Sequence, residues 1–212
     1  MTLQEIIDIF IRIPSGGVLT QENRYDDLFI ESAVHRVRST AIFAYWQKTK
    51  RINPIWTQQF VPVFNEALQE DDLCKVIFPC PAPVNLDEQM DGFLYIGTED
   101  GNCPYRKVVS RAELANANKH RSIKITKDIV KVLYSDGNLE VYGNTDLKKI
   151  RVDGIFQNPT LIPTYNRDID PYPVDEALID MMKNIYYQTE AQVVVARPGG
   201  TAPFVNDPAQ TK

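Results

Sequence analysis

Cysteine, histidine and the motifs of phosphate or metal chemistry are scarce in this chain, and each shortage removes a class of function. Three cysteines, Cys74, Cys80 and Cys103, are odd in number and lack CxxC spacing, so neither a disulfide framework nor a zinc ribbon is expected and a reduced, cytoplasmic setting is the default. Two histidines, His35 and His120, cannot build a histidine metal cluster, and each reads as packing or surface rather than a catalytic base. Gly16-Gly17 and Gly199-Gly200 have neither the Lys-Ser/Thr ending of a phosphate loop nor the strand-to-helix context of a dinucleotide turn, and read as loops. No apolar run approaches the ~20 residues of a membrane span. Met1 leads into an amphipathic pattern with Glu5 and Asp8 instead of a basic n-region, so neither a signal peptide nor a membrane anchor is expected. Basic excess is missing too: the net charge is −5, which argues against sequence-independent DNA binding, since that affinity comes from Lys and Arg on phosphates.

What is present is an ordinary globular composition. The 212 residues are 43% hydrophobic and 24% charged, enough for an independent core without metal or disulfide. Charge is distributed in blocks. Residues 66 to 100 carry nine acids against Lys75 alone, and residues 105 to 151 carry eleven basic groups against five acids. Such blocks are either two solvated faces or complementary poles that steer neighbouring subunits into register.

The periodicities predict helices at both ends and strands between them. Thr2 and Glu5 form a capping box ahead of Leu3, Ile6, Ile7 and Phe10, predicting a helix over about 2–13 that Pro14, Gly16 and Gly17 end. Asp26 caps a longer helix to about Lys50 with the apolar stripe Ile30, Val34, Val37, Ala41 and Ala44. From Trp56 the pattern changes to short segments rich in Val, Ile, Phe and Tyr: 59–68, 73–78, 92–97, 105–110, 130–134, 139–142 and 148–156. Prolines 79, 81 and 83 mark an edge or extended connector, and Asp100-Gly101 and Asp136-Gly137 are turns. Ser110 caps a short helix to Asn118. Pro171, Tyr172 and Pro173 open a final helix with the stripe Val174, Leu178, Met181, Ile185 and Tyr186.

The fold expected is α+β: an N-terminal helical pair and a C-terminal helix beside an antiparallel β-sheet or small barrel. Its segments are N-terminal helices at 1–55, a β-rich region at 56–160, a C-terminal helix at 161–196 packing on the N-terminal helices, and an extended tail at 197–212. In that tail Pro198, Pro203, Pro208 and Gly199-Gly200 rule out a helix, so it reads as frayed or as an arm laid on another subunit. Phe204 and Val205 are the tail's sizeable apolar anchors.

Candidate chemistry is thin. The run Glu70, Asp71, Asp72 lacks the spacing and glycine of a calcium loop, and Cys103 stands between Asn102 and Pro104 with no nearby histidine to activate it. Tyr172 and Trp56, beside prolines, read as packing anchors. Arg36 and Arg38, on the second helix near Glu31, read as ion-pairing residues or as contacts to a partner subunit. No catalytic, cofactor or metal residue emerges, and the candidate interface residues are Arg36, Arg38, Phe204 and Val205.

The layout resembles the head-to-tail connector or ring proteins of short-tailed bacteriophages, especially crAss-like phages of gut bacteria. The likeness covers most of the chain. It rests on the first helix with Gly16-Gly17, the Tyr25-Asp26 helix, the segment Asp91-Gly92-Phe93-Leu94-Tyr95-Ile96-Gly97, the segment Val152-Asp153-Gly154-Ile155-Phe156-Gln157-Asn158-Pro159, and Tyr172-Pro173-Val174 with its helix ending near Met182. The resemblance implies a virion structural protein in the neck or tail, assembled in the host cytoplasm. It further implies a homo-oligomeric ring of twelve copies, stacked on the portal and on other ring or tail proteins. DNA would pass through its lumen without sequence-specific binding, with no membrane partner, cofactor or catalysis. Two other readings stay open: a small metal-dependent hydrolase or nuclease using acids between 66 and 100, and a monomeric adaptor binding protein through an open sheet edge.

Overall fold

The computed structural model describes residues 1–12, 27–64, 75–87, 90–119, 125–126, 129–144 and 146–191. In chain order the elements are α1 (Leu3–Arg12), α2 (Asp27–Thr49), β1 (Gln58–Phe60), β2 (Lys75–Pro79), β3 (Phe93–Gly97), β4 (Arg106–Val108), α3 (Arg111–Lys119), β5 (Lys131–Ser135), β6 (Asn138–Tyr142), β7 (Arg151–Gly154) and α4 (Glu176–Tyr186). Two compact units result: Met1–Ile42 with the described residues from Arg167 onward, and Phe43–Asn166.

In the first unit the capping box forms. The Thr2 N–H donates to Glu5 Oε2 at 2.8 Å and the Glu5 N–H to Thr2 Oγ1 at 3.4 Å, satisfying amides that the first turn leaves free. Leu3, Ile6, Ile7 and Phe10 are all fully buried, each worth roughly 1.5–3 kcal/mol against exposure. Phe10 meets Tyr186 of α4 edge-on at 4.9 Å between ring centroids. The expected stop at Pro14, Gly16 and Gly17 and the Asp26 cap lie outside the described residues.

Two expectations for the helices need correction. On α2, Ile30, Val34, Val37 and Ala41 are buried but Ala44 is exposed, because the last turns of this helix belong to the second unit and there bury Trp46 instead. On α4, the cap is Asp175, whose Oδ1 accepts the Leu178 N–H at 2.7 Å. Tyr172 precedes a proline, which disfavours the α conformation there, so the helix starts only after the Pro-Tyr-Pro segment. Its buried face is Leu178, Ile179, Met182 and Tyr186, with Met181 and Ile185 only half-buried. Apolar residues come in adjacent pairs along this helix, so the pattern leaves the inward face ambiguous by one position, about 100°.

The second unit holds two sheets. One has the order β1-β7-β3 and the other β2-β6-β5-β4. Phe60, Ile96 and Val152 from the first and Val76, Phe78, Val132, Leu139 and Val141 from the second share one core with Phe156. Phe156 stacks edge-on with Phe60 at 5.4 Å and Phe93 at 6.1 Å. Among the described residues no closed barrel forms: seven strands of three to five residues divide into two sheets. β2 is an edge strand ending at Pro79, and Pro83 makes only an isolated bridge to Phe156, as prolines without an N–H require.

Asp136-Gly137 makes the two-residue turn between β5 and β6, with φ of 51° and 78°, the type I′ geometry that matches strand twist. Asp100-Gly101 sits in a longer loop, 98–103, in which the Thr98 N–H donates to Cys103 O and the Tyr105 N–H to Ile96 O, and the chain then crosses to the other sheet. There β4 pairs with β5 in parallel, which corrects the expectation of a wholly antiparallel sheet. Parallel neighbours need a crossover, and α3 lies in that connection. Ser110 caps α3, its Oγ accepting the Glu113 N–H at 3.2 Å, and Leu114 packs on Val108 and Leu133.

Strand segment 59–68 shortens to β1, with 65–68 outside the described residues, and 148–156 contracts to β7, the central strand between β1 and β3. Gly92 permits a close approach there. A Cβ at that position would lie 2.4 Å from the Ile155 carbonyl, and the Ile155 N–H donates to Gly92 O at 2.8 Å.

Candidate functional site

In the first unit, α2 places Glu31, His35 and Arg38 along one side, at spacings of four and three. His35 Nδ1 lies 2.7 Å from the Tyr172 hydroxyl. Arg38 is fully buried; its Nε donates to Pro173 O at 3.1 Å, and its guanidinium stands 5.5 Å from the centroid of the Tyr172 ring. Arg167 meets Glu31 Oε2 at 3.0 Å, and Glu31 Oε1 is 3.6 Å from His35 Nε2. Burial, then the nearby Arg38 and Arg167 charges, push the His35 pKa down to about 4, so the ring is neutral at pH 7. A ring proton on Nε2, toward Glu31, leaves Nδ1 to accept from the Tyr172 hydroxyl, whereas a proton on Nδ1 donates to that oxygen. The cluster clips the segment 167–173 onto α2. Arg36, two residues before Arg38 and about 200° round the helix from it, is exposed and donates to Ser32 Oγ at 3.1 Å.

The two arginines singled out from the sequence therefore differ: Arg36 is on the surface and Arg38 is buried. Sequence reasoning placed both on one helix, but only the helical phase against Val34 and Val37 separates them. Phe204 and Val205 lie outside the described residues, as do His120, Gly199-Gly200 and the run Glu70, Asp71, Asp72.

In the second unit the described acids are engaged within the subunit. Asp91 pairs with Lys107 and accepts the Phe93 N–H at 3.2 Å, and Glu99 meets Lys149 at 3.5 Å. The Thr98 hydroxyl, followed by the Asn102 backbone and side chain, holds the Asp100 carboxyl below its ordinary pKa. Part of the acidic block thus meets part of the basic block inside one chain, while Glu66, Glu70, Asp71, Asp72 and Glu88 lie outside the described residues. Among the described residues no group of three His, Cys, Asp or Glu side chains could hold a metal ion.

A buried charge network reinforces the four-stranded sheet. Glu140 Oε1 takes Lys75 Nζ at 3.0 Å and Arg111 at 3.2 Å, and Glu140 Oε2 accepts the Tyr142 hydroxyl at 2.6 Å. Burial alone would raise the Glu140 pKa, but Tyr142, Lys75 and Arg111 outweigh it and hold the carboxyl below its ordinary value. Cys80 is buried, donates to Pro81 O at 3.5 Å, and has its pKa pushed up by burial and then by Asp91, the opposite of an activated thiol. Trp56 is a packing anchor, with Tyr45 edge-on at 5.1 Å.

The second unit also carries an apolar groove of about 730 Å³ where the chain leaving β1, the end of β2 and the turn after Asn158 converge. Pro62, Val63, Pro79, Pro81, Tyr134 and Leu161 line it, and no lining side chain is charged. Val63 and Leu161 are 58% and 60% exposed. The titratable lining groups are the Cys80 thiol and the Tyr134 hydroxyl, whose pKa values are both pushed up by burial, so a groove of this size binds by shape and apolar contact.

The fold is α+β, the charge clusters around Glu31 and Glu140 hold their own units, and the open groove is apolar, which leaves the class of protein to comparison. Comparison with families makes this specific. The chain belongs to a crAss ring family, described as phage tail ring protein 2, whose model matches residues 5–203. It is thus a phage tail ring structural protein and a component of the virion. Comparison with curated proteins gives no match. No helix among the described residues is long and apolar enough to cross a membrane.

Proposed function

We propose that many copies of this chain, twelve by the resemblance, close into a homo-oligomeric ring in the portal-to-tail connector, where the ring extends and seals the DNA conduit. The family match over 5–203 carries this reading. Portal and other ring or tail proteins are the neighbours, assembly takes place in the host cytoplasm, and the ring contributes no catalytic turnover. DNA passes through the lumen unread, in keeping with a net charge of −5. Large apolar side chains are exposed in both units, among them Leu28, Ile169 and Tyr187 in the first and Ile55, Val109 and Leu161 in the second, and such surface is what subunit contact covers. Arg36 on α2 and Phe204 and Val205 in the tail are the contact residues of this reading, while Arg38 supports the contact from inside by holding Pro173.

Ring closure requires a head-to-tail contact between different surfaces of identical subunits. The test is the mass of the purified protein, alone and mixed with portal and tail proteins of the same phage. A discrete multimer, alone or only with the portal, supports the ring; a monomer under every mixture returns the chain to the adaptor reading.

A further inference from the structure

We propose that the apolar groove of the second unit is the receptor for the C-terminal segment of a neighbouring copy, which inserts Phe204 and Val205 between Val63 and Leu161. This deepens the ring reading and rests on it. The groove and the segment match in chemistry. From Pro198 to Asn206 the chain is uncharged and carries Ala202, Pro203, Phe204 and Val205 in succession, and the groove is lined without a charged side chain. Pro62, Pro79, Pro81 and Pro163 in its walls have no N–H to donate and little backbone freedom to lose, so the site is preorganised for apolar side chains rather than for a new strand. A volume of about 730 Å³ lies in the range of sites that enclose a few side chains.

Reach agrees. Thirteen residue steps, 204 minus 191, separate the last described residue, Ala191, from Phe204, and that length spans up to about 45 Å when extended. A segment in one place and its receptor in another form a heterologous contact, the kind that propagates from copy to copy and closes a ring. An aromatic anchor entering a preformed apolar site is also the usual dominant contributor to such a contact.

Photo-crosslinking decides between a neighbour and the chain's own groove. Full-length protein with benzoyl-phenylalanine at position 204 is mixed with isotopically heavy wild-type protein and irradiated. The expected product joins position 204 of the light chain to heavy peptides containing Val61–Val63 or Leu161–Pro163. Crosslinks confined to light chains, to other surfaces or to other tail proteins overturn the proposal, as does their absence from an assembled ring.

A second measurement keeps the groove testable apart from the ring. A labelled peptide of residues 197–212 is titrated into the full chain carrying Phe204→Asp, with and without Val63→Asp or Leu161→Asp. Both groove positions are exposed, so unchanged circular dichroism should accompany a loss of peptide affinity of at least about tenfold. Equal affinity for all variants, or none for any, overturns the groove. If the Phe204→Asp chain still assembles like wild type, the groove proposal fails and the ring stands; if wild type never assembles, the ring reading fails.

Discussion

Lowering the pH should unfold the first unit through His35. Its pKa is about 4 in the folded protein against 6.5 for the free side chain. The unfolded chain therefore takes up a proton before the folded one does. The stabilising contribution of the neutral ring is complete above about pH 6.5 and is lost as the pH falls toward about 4, with no further loss below. Each pH unit between those two values is worth about 1.4 kcal/mol, which sets a limit of about 3 kcal/mol, of which about 2 kcal/mol disappears between about pH 7 and 5. The comparison is with His35→Asn, which keeps a hydrogen-bonding group for the Tyr172 hydroxyl and cannot ionise, so that every other titrating group cancels. Urea unfolding followed by far-UV circular dichroism should show wild type losing about 2 kcal/mol more than the variant over that interval. Trp46 and Trp56 both belong to the second unit, so their fluorescence reports separately on the half that lacks His35. Parallel stability profiles for wild type and variant would refute the argument and mean that the His35 ring is protonated or hydrated in the folded state.

Three further perturbations test the packing and the charges. Phe156→Ala removes a fully buried ring in contact with Phe60 and Phe93 and should cost about 3–5 kcal/mol, lowering the melting temperature by roughly 10 °C in calorimetry. Glu140→Ala removes the carboxylate that the buried Lys75 Nζ meets at 3.0 Å and should cost about 3–5 kcal/mol, whereas Lys75→Met combined with Glu140→Leu should recover most of that loss in a double-mutant cycle. Since Asp91 pairs with Lys107 and Glu99 with Lys149 inside one chain, the assembly should survive a rise in salt from about 0.1 to 1 M, where the screening length falls from about 10 to 3 Å; dissociation at high salt in a mass measurement would return the charge blocks to the interface.

The sequence was most legible where a local rule has one solution. Thr2 and Glu5, Ser110 and the Asp136-Gly137 turn are determined by residues within a few positions, and all three appear as expected. Prolines told correctly of an edge at β2. The helix after Ser110 was visible, but its consequence, a parallel pair of β4 and β5, was not, because crossover and interruption look the same in a linear pattern. Face selection failed on α4, where paired apolar residues fit two faces, and on α2, where the helix changes unit after Ile42. A buried arginine such as Arg38 cannot be told from its exposed neighbour Arg36 by residue type. The groove was invisible for a different reason: its walls come from residues near 60, 80, 134 and 161, which only the fold brings together.

Class averages of the purified protein, alone and on its portal, viewed down the symmetry axis in the electron microscope, test the central claim most directly. The account predicts a closed ring of identical subunits with rotational symmetry and an open lumen wide enough for duplex DNA. Single particles of one chain's mass, on their own and with the portal present, or open chains without closure, would contradict it.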